Sequence, residues 1–390
     1  MAKIKAHSLT GRITLPLLVT AFRNVKRNRG AAGIDKVSIQ LFESNLLQNL
    51  LALMRRLKDR SYRALPLRRV HIPKGDGKTR PLGIPAVRDR VAQEVLRLLL
   101  NPLFERIFHD DSYGFRPGRN CHMAVERVLE LHRQGYTHVL DADIKGFFDN
   151  IPQNVIMAGV AAEVADGNIL QIVERFLKAG VMEDGKLQPT RLGTPQGGVI
   201  SPLLANIALN GLDWHLHNAG FRFVRYADDF VVLCESEGKV KEAHELVQQY
   251  LAGVGLTLSP EKTRMTSFRE GFTFLGFAIS ARAVLMRPKS VEKFKTKIRE
   301  ITQRKRNLDL EVVRKVNAVV RGTANYFATP FSSVWTLFRG LDGWLRMRIR
   351  AMKFKRKSRS DNWRVLRKHL RNLGFLFLSD ARAPPAVAMM

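Results

Sequence analysis

Three aspartates in a strongly basic chain have the surroundings of a metal-binding carboxylate site. Asp143 ends the apolar run in the segment THVLDADIKGFF, and Asp228 and Asp229 lie side by side in the segment RYADDF. Burying a carboxylate without a partner costs several kcal/mol, so acids flanked by apolar residues need a counter-charge. A divalent cation provides one, and two Mg²⁺ ions about 3.5–4 Å apart can clamp the attacking and leaving oxygens of a phosphoryl transfer.

Both acidic segments are predicted to be strands that end or turn at the carboxylates. Residues 137–148 form an apolar run that stops at a polar elbow, and residues 221–234 form two short apolar runs around a tight turn. Consecutive strand residues face opposite sides, so one aspartate of the 228–229 pair should reach the metals while the other supports it. The alternative is an ordinary hairpin turn, in which aspartate is common.

The remaining pattern predicts a helix-rich α+β fold. A helix is expected at 40–58, a hairpin across Gly75-Asp76-Gly77, and a helix at 88–108. Further along, apolar residues recur three and four positions apart between basic ones, which is typical of amphipathic helices. These C-terminal helices are expected at 290–306, 310–327 and 333–357.

The charge of the chain indicates a polyanionic partner. Its 390 residues include 65 Lys and Arg against 35 Asp and Glu, a net charge of +30, yet 45% are hydrophobic, which is typical of a folded protein. Residues 286–390 alone have a net charge of +19. Nucleic acid is the first candidate partner, ahead of an acidic membrane surface or an acidic protein.

The cysteines and the hydropathy exclude other classes. Cys121 and Cys234 are far apart and lack metal-ligand spacing, so we expect neither a disulfide scaffold nor a cysteine-based zinc site. No apolar run approaches about 20 residues, and the first residues lack the apolar region of a signal peptide. We therefore expect a protein of the reducing cytoplasm that is neither secreted nor membrane-spanning.

Three motifs together carry a family resemblance. The segment YADD at 226–229, with ADIKGFFD at 142–149 and GTPQGGVISP at 193–202, resembles the reverse transcriptases encoded by group II introns and their domesticated relatives. The similarity covers about residues 15–280. Its other blocks are IPKGDGKTRPLGIP at 72–85, DSYGFRPGR at 111–119, LSPEKT at 258–263 and FTFLGF at 272–277.

The resemblance implies an RNA-directed DNA polymerase that adds deoxynucleotides to the 3′-hydroxyl of a DNA or RNA primer on an RNA template. The implied ligands of two Mg²⁺ ions, or Mn²⁺, are the carboxylates of Asp143, Asp228 and Asp229 and the carbonyl of Ile144. Lys262 matches the lysine that protonates the departing pyrophosphate.

The resemblance also implies a nucleotide-binding set. Lys74 and Arg80 match residues that hold the incoming triphosphate, a role that suits two cations, although a solvated basic turn would explain them too. Phe148 matches an aromatic gate against the 2′-hydroxyl of ribonucleotides; the alternative is a core phenylalanine. Gln196 would lie against the sugar, and Gly197 would let the backbone approach the base pair.

Contacts with the nucleic acid are implied for three further segments. Arg116 and Arg119 flank a Pro-Gly turn and suit the template backbone, unless they are simple surface arginines. Arg29 lies in VKRNRGAAGID, which resembles a template-gripping segment. Phe274 and Gly276 belong to the block that grips the primer end, although a core strand explains them equally well.

The implied architecture is a right hand, in which fingers and a palm with a small antiparallel sheet precede a helical thumb, or X domain. The expected divisions are an N-terminal extension at 1–40, fingers and palm at 41–285, the thumb at 286–375 and a tail at 376–390. The match is weaker after residue 285, where Gly322–Phe327 lacks the Trp and second Tyr of the family's recurring element, and no His-Asn-His nuclease is expected.

Two other functions stay open at this point. One is an RNA-binding splicing maturase whose cognate is a group II intron RNA, with the polymerase motifs secondary. The other is a domesticated enzyme of DNA repair or phage defence.

Overall fold

A computed structural model describes residues 5–75, 78–194 and 197–381, with only the backbone of Lys74, Gly75 and Lys78. The chain forms two compact units, Met1–Met265 and Thr266–Met390. In the described residues, no helix combines the length and the apolar character that crossing a membrane requires.

The first unit is rich in helices. Its first long helix shows why: Leu18, Phe22 and Val25 recur at a spacing of four and three residues and are buried, and Pro16 stands in the first turn, where it loses no hydrogen bond. The helices are α1 Leu15–Asn28, α2 Ile39–Ser44, α3 Leu46–Lys58, α4 Val87–Phe104, α5 Cys121–Arg133, α6 Phe147–Asn150, α7 Gln153–Glu163, α8 Gly167–Leu177, α9 Ser201–Asn218 and α10 Glu237–Gly253.

Two sheets complete this unit. Their strands are β1 Leu67–Gly75, β2 Lys78–Ile84, β3 His138–Asp143, β4 Val181–Glu183, β5 Lys186–Gln188, β6 Arg222–Tyr226, β7 Asp229–Cys234 and β8 Arg264–Ser267, the last of which runs across the boundary between the units. The first sheet has the order β2-β1-β4-β5, with a parallel pair between β1 and β4.

The second sheet positions the predicted carboxylates. Its order is β6-β7-β3-β8, and β7 is antiparallel to both β6 and β3. The middle strands are apolar and buried, which suits a central position. Helix α9 packs against β6, and α10 packs against β3 and β7, so one face of this sheet is backed by helices.

The second unit consists of a small antiparallel sheet followed by helices. Its strands are β9 Phe272–Phe274, β10 Phe277–Ile279 and β11 Val284–Met286, and its helices are α11 Pro288–Ile301, α12 Leu310–Phe327, α13 Trp335–Lys353, α14 Asp361–Arg364 and α15 Arg367–Asn372. Apolar residues at helical spacing, such as Val312, Val316 and Val320, are buried.

The predicted fold class, helix-rich α+β, is confirmed. The helix expected at 40–58 is interrupted at Asn45, whose backbone leaves the helical region; asparagine competes for backbone hydrogen bonds and favours such breaks. The compact units divide at Met265 and Thr266, and the expected divisions at 40, 285 and 375 stay predictions.

Candidate active site

The turn between β6 and β7 presents Asp228 at its tip. Tyr226 pairs with Asp229, so only Ala227 and Asp228 form the loop. Ala227 has a positive φ of 59°, a conformation that costs a residue with a Cβ about 1–2 kcal/mol. The following aspartate is thereby held at the end of a two-residue hairpin of the tight type that favours positive φ.

Strand β3 brings a third carboxylate to this turn. Asp143, its last residue, pairs directly with Asp229 on β7, and directly opposed residues share a face of the sheet. Asp143 keeps 19% of its side chain exposed, and Asp229 is exposed. The three aspartates predicted from the sequence therefore lie together at one end of the sheet.

Asp228 interacts with both the acids and the bases of the site. Burial raises its pKa, and the nearby Asp143 raises it as well, while its own backbone amide, Lys262 and Arg80 act in the opposite direction. Lys262 and Arg80 thus lie close enough to Asp228 for their positive charges to lower its pKa. This neighbourhood brings together the predicted metal ligands, the predicted proton donor Lys262 and the predicted triphosphate-binding Arg80.

Lys262 forms an ion pair with Asp143. Its Nζ lies 2.8 Å from Oδ2 and 3.1 Å from Oδ1 of the carboxylate, and this hydrogen bond raises the pKa of the lysine. The segment that contains Lys262 is docked on the end of β3, because the backbone N–H of Ser259 donates to the Asp143 carbonyl at 2.7 Å.

The Ile144 carbonyl is directed away from the segment that contains Lys262. Ile144 forms an antiparallel bridge with Leu258. The two hydrogen bonds of this bridge are made by the residues on either side of Ile144: the N–H of Lys145 donates to the Thr257 carbonyl, and the Asp143 carbonyl accepts from the N–H of Ser259. The polar groups of a strand residue alternate between its two neighbouring strands. Those of Ile144 therefore point toward the β7 side, where Asp228 lies.

Asp141 is an acid of this face that the sequence reasoning missed. Burial raises its pKa to about 7, and repulsion from Asp229 and Asp143 adds to that effect while Arg264 opposes it. The signal was present in the sequence, because Asp141 and Asp143 are two residues apart on one strand and must face the same side.

A metal site is not complete in the side chains alone. In the described residues, no group of three or more His, Cys, Asp or Glu side chains is arranged to hold a metal ion. The oxygen donors that do converge are the Asp143 and Asp228 carboxylates, with the Ile144 carbonyl directed to the same side. Oxygen donors of this kind suit Mg²⁺.

The predicted nucleotide-binding residues fall into three groups. Arg80 is exposed on β2 and its charge reaches Asp228. Phe148 is half-buried in α6, with its ring against Phe147. The side chain of Lys74 and the whole of Gln196 lie outside the described residues.

Gly197 is required by a contact within the protein. Its φ is +106°, and a Cβ there would lie 2.3 Å from the carbonyl oxygen of Gly83 on β2. The loop therefore rests directly on the first sheet. This contact is one reason for the glycine, and the predicted approach of a base pair at Gly197 stays a prediction.

Arg116 corrects one prediction of a template contact. Only 2% of its side chain is exposed, and it is paired with Glu105 at 2.7 Å. Its Nη1 donates to the carbonyls of His109 and Ser112. The guanidinium is therefore a structural group that closes the segment 109–116 on itself.

The other residues predicted to contact nucleic acid differ in their exposure. Arg119 pairs with the exposed Asp110 and keeps 20% of its side chain exposed; Arg29 is exposed just after α1. In the second unit, Phe274 is only 3% exposed, so its ring is a core group and not a surface contact. Gly276 has a φ of +86°, which the tight turn between β9 and β10 requires.

Two models of known protein families match parts of this chain. A family model described as reverse transcriptase (RNA-dependent DNA polymerase) matches residues 72–279, more than half of the chain. A model of the group II intron maturase-specific domain matches residues 291–371.

Individual relatives point the same way. Protein YkfC of Escherichia coli K12 is 33% identical over 315 residues, covering 70% of this chain and 83% of that protein. The group II intron-encoded protein LtrA of Lactococcus lactis is 28% identical, covering 79% of this chain and 68% of LtrA. An uncharacterized 91 kDa protein in the cob intron of Schizosaccharomyces pombe is 29% identical over 68% of this chain, which spans only 40% of that relative.

The matched ranges contain the carboxylate turn, the strand that faces it and the helical second unit. The chain therefore belongs to the group II intron type of reverse transcriptases, RNA-directed DNA polymerases that also have a maturase-specific domain.

Proposed function

We propose that Asp143 and Asp228, with the Ile144 carbonyl, hold two Mg²⁺ ions and that this site catalyses transfer of a nucleotide from a dNTP to a primer 3′-hydroxyl. The observation that carries the proposal is the pairing of Asp143 with the Asp228-Asp229 turn beside Lys262 and Arg80. Reverse transcriptase domains generally use divalent metals, and when bound these ions stabilise negative charge on the attacking and leaving oxygens.

Three side chains of the protein have separate roles in the proposed reaction. Arg80 binds the triphosphate, since a guanidinium can donate to two phosphate oxygens at once. Lys262 is protonated at neutral pH, as lysines ordinarily are, and its bond to Asp143 raises its pKa further. It can therefore give a proton to the departing pyrophosphate and recover one from water. Asp229 supports the pair from the strand opposite Asp143.

Primer extension by an Asp228→Asn variant tests this site. Loss of at least about 10³-fold in rate is expected, because removal of one carboxylate weakens the stabilisation of charge at both oxygens. Asp184→Asn is the matched control, since Asp184 is exposed in the β4–β5 turn, where a φ of 49° suits asparagine equally well. RNA binding should be unchanged in both variants, and substantial synthesis by Asp228→Asn would reject the site.

A second function, assistance in splicing of a group II intron RNA, is favoured by the maturase-specific match at 291–371 and by the charge of +19 in residues 286–390. If the protein binds six to ten phosphates, its affinity for RNA should fall about 10³- to 10⁵-fold between low and moderate salt. Crosslinking in the host, followed by sequencing of the bound RNA, tests this role.

A single intron among the bound RNAs would support the maturase role, and splicing that persists in Asp228→Asn would separate it from polymerisation. A diverse set of RNAs, and a gene with no ribozyme domains V and VI downstream, would favour the domesticated enzyme instead. In each case we propose that the protein acts in the cytoplasm at the nucleoid, where DNA primers are found.

A further inference from the structure

Arg225 is a buried cation on the opposite face of the sheet from the carboxylates. It precedes Tyr226 on β6, and consecutive strand residues face opposite sides. Tyr226 pairs with Asp229 on the carboxylate face, so Arg225 points to the face covered by α9. None of its side chain is exposed.

The guanidinium joins α9 to the turn that carries Asp228. Nε and Nη2 donate to the two carboxylate oxygens of Asp213 at 2.7 and 2.5 Å. Nη1 donates both to Oδ1 of Asn206 at 2.9 Å and to the carbonyl oxygen of Ala227 at 3.0 Å. The bidentate pair fixes the plane of the guanidinium, and that plane fixes the direction of the bond to Ala227.

The backbone of Gly114 also packs closely against the turn. Nδ2 of Asn206 donates to the Gly114 carbonyl at 2.7 Å, so one amide links this glycine to Arg225. A Cβ at Gly114 would lie 2.3 Å from the backbone nitrogen of Ala227 and 2.9 Å from the Tyr226 carbonyl carbon. Only a glycine allows this approach without moving one of the two backbones.

The strand itself is held against the same segment. The backbone N–H of Arg225 donates to the Asp111 carbonyl at 2.9 Å, and Tyr113 donates to the Arg225 carbonyl at 2.8 Å. The turn is therefore fixed from behind by Arg225 and from the side by residues 111–114. We call Arg225, Asp213, Asn206 and Gly114 the turn brace.

A brace is needed because the turn is strained. Ala227 has a positive φ, and such a conformation persists only where its surroundings determine it. Asp228 follows Ala227 directly, so relaxation of Ala227 would move the carboxylate. Misplacement of a reacting group by about 1 Å can cost about 10²-fold in rate.

We propose that Arg225 is a positioning residue for nucleotide transfer. It holds the Ala227 carbonyl from the face of the sheet opposite the carboxylates, while the Gly114 backbone packs against the same turn. Together these contacts set the position of Asp228 opposite Asp143. The inference rests on the proposed function, because it takes Asp228 as a working carboxylate. The competing role is purely structural, in which the Arg225–Asp213 pair only stabilises the first unit.

The bonding pattern favours positioning over stability alone. An ion pair with Asp213 needs only Nε and Nη2, whereas Nη1 is directed to Asn206 and to the turn. Removing the arginine altogether would leave Asp213, which is 1% exposed, as an uncompensated buried charge. The informative variants are therefore those that disturb the turn and keep this charge balance.

Gly114→Ala is the first test, because it adds one methyl group against Ala227 and removes no charge. We expect kcat for primer extension to fall about 10- to 100-fold, with dNTP KM and primer–template Kd within about threefold of wild type. The Mg²⁺ concentration for half-maximal rate should rise. Gly253→Ala is the control, since a Cβ at Gly253 has no heavy atom within 4 Å, and it should behave as wild type.

Arg225→Lys is the second test. It keeps a cation opposite Asp213 but lacks the fork of donors that reaches both α9 and Ala227, so it should show the same fall in kcat and the same shift in Mg²⁺ dependence. If Arg225→Lys does not fold, Gly114→Ala decides alone.

Thermal unfolding separates the positioning role from the structural one. Variants that melt at lower temperature but keep wild-type kcat and Mg²⁺ dependence below their melting range would overturn the proposal. If Asp228→Asn itself remained active, the proposed function would be rejected instead. That result is distinguishable from failure of the positioning role, because Asp228→Asn leaves the four residues of the turn brace unchanged.

Discussion

The side-chain nitrogen of Lys262 lies 2.8 Å from Oδ2 of Asp143, a residue 119 positions earlier in the chain. The carboxylate that we propose as a metal ligand is thus in contact with the group that we propose as proton donor. The bond raises the pKa of Lys262 further, so the lysine releases its proton only when a sufficiently basic oxygen forms beside it.

Replacing Lys262 by alanine should slow nucleotide incorporation by about 10²- to 10⁴-fold, the usual contribution of general acid catalysis. Stability should change by less than about 1 kcal/mol, since 60% of the lysine side chain is exposed. Single-turnover extension of a primed RNA measures the rate. Lys262→Arg should also be slow because arginine does not release its proton, and a wild-type rate for Lys262→Ala would exclude the role.

Two arginines of the segment 111–119 should behave differently. Arg116→Ala should lower the free energy of unfolding by about 3 kcal/mol, the lower end for breaking a buried pair, because Glu105 keeps 30% of its side chain exposed. Arg119→Ala should cost less than about 1 kcal/mol but reduce the salt dependence of template binding by about one unit of slope. Denaturant unfolding and salt titrations of RNA affinity check the pair, and equal stability of both variants would contradict the assignment.

Gly197→Ala should destabilise the first unit more than Gly185→Ala. Both glycines have positive φ, so each alanine carries a conformational cost of about 1–2 kcal/mol. Only at Gly197 would the new Cβ also meet a backbone oxygen, 2.3 Å away, whereas Gly185 has open space. Urea unfolding compares the two variants, and equal losses would show that the contact with Gly83 is not tight.

Protonation of His109 should destabilise the fold as pH falls. Its Nδ1 accepts the N–H of Asp111 at 3.0 Å, so the neutral ring must donate from Nε2 to Nδ1 of His217, also at 3.0 Å. Burial lowers the pKa of His109 from 6.5, although Asp111, Asp213 and Asp110 oppose this shift. The unfolded state therefore binds the proton more readily, and stability is present above about pH 6.5 and is lost as pH falls toward the folded pKa.

Unfolding free energies between pH 5 and pH 8 test the histidine. His109→Gln should flatten the curve below pH 6.5, whereas the exposed His7, replaced in the same way, should leave it unchanged. A dependence that is identical in His109→Gln and wild type would assign the acid sensitivity to other groups.

Phe148→Ala should relax sugar discrimination. If the half-buried ring excludes the 2′-hydroxyl, its removal should increase ribonucleotide incorporation relative to deoxynucleotide incorporation by about 10-fold or more, as expected for loss of a steric contact. Competition assays with paired dNTP and rNTP give the ratio of kcat/KM values. An unchanged ratio would leave Phe148 as a packing residue beside Phe147.

The strand that ends at Asp143 and the two strands that flank Asp228 could be predicted from the sequence, because apolar runs that stop at acids are typical of buried strands that end at a polar site. Partners that are distant in sequence could not be predicted in this way, and the contact of Lys262 with Asp143 followed only from the family resemblance. The prediction for Arg116 was wrong because an arginine beside a Pro-Gly turn has the pattern of a surface residue, while its partner Glu105 gives no local signal. The sequence does contain a signal for Arg225, since a charge inside an apolar strand must be paired.

The separation between Asp143 and Lys262 also has a consequence during protein synthesis. At about 5–20 residues per second, the ribosome needs roughly 6–24 s to extend the chain from one residue to the other. Until residue 234 is made, the emerging strand β3 lacks its antiparallel partner β7, and until residue 262 is made it also lacks the cation that neutralises its last carboxylate. A nascent or truncated chain that ends before residue 262 should therefore lack the assembled site, and polymerase activity should begin only after most of the first unit has left the ribosome.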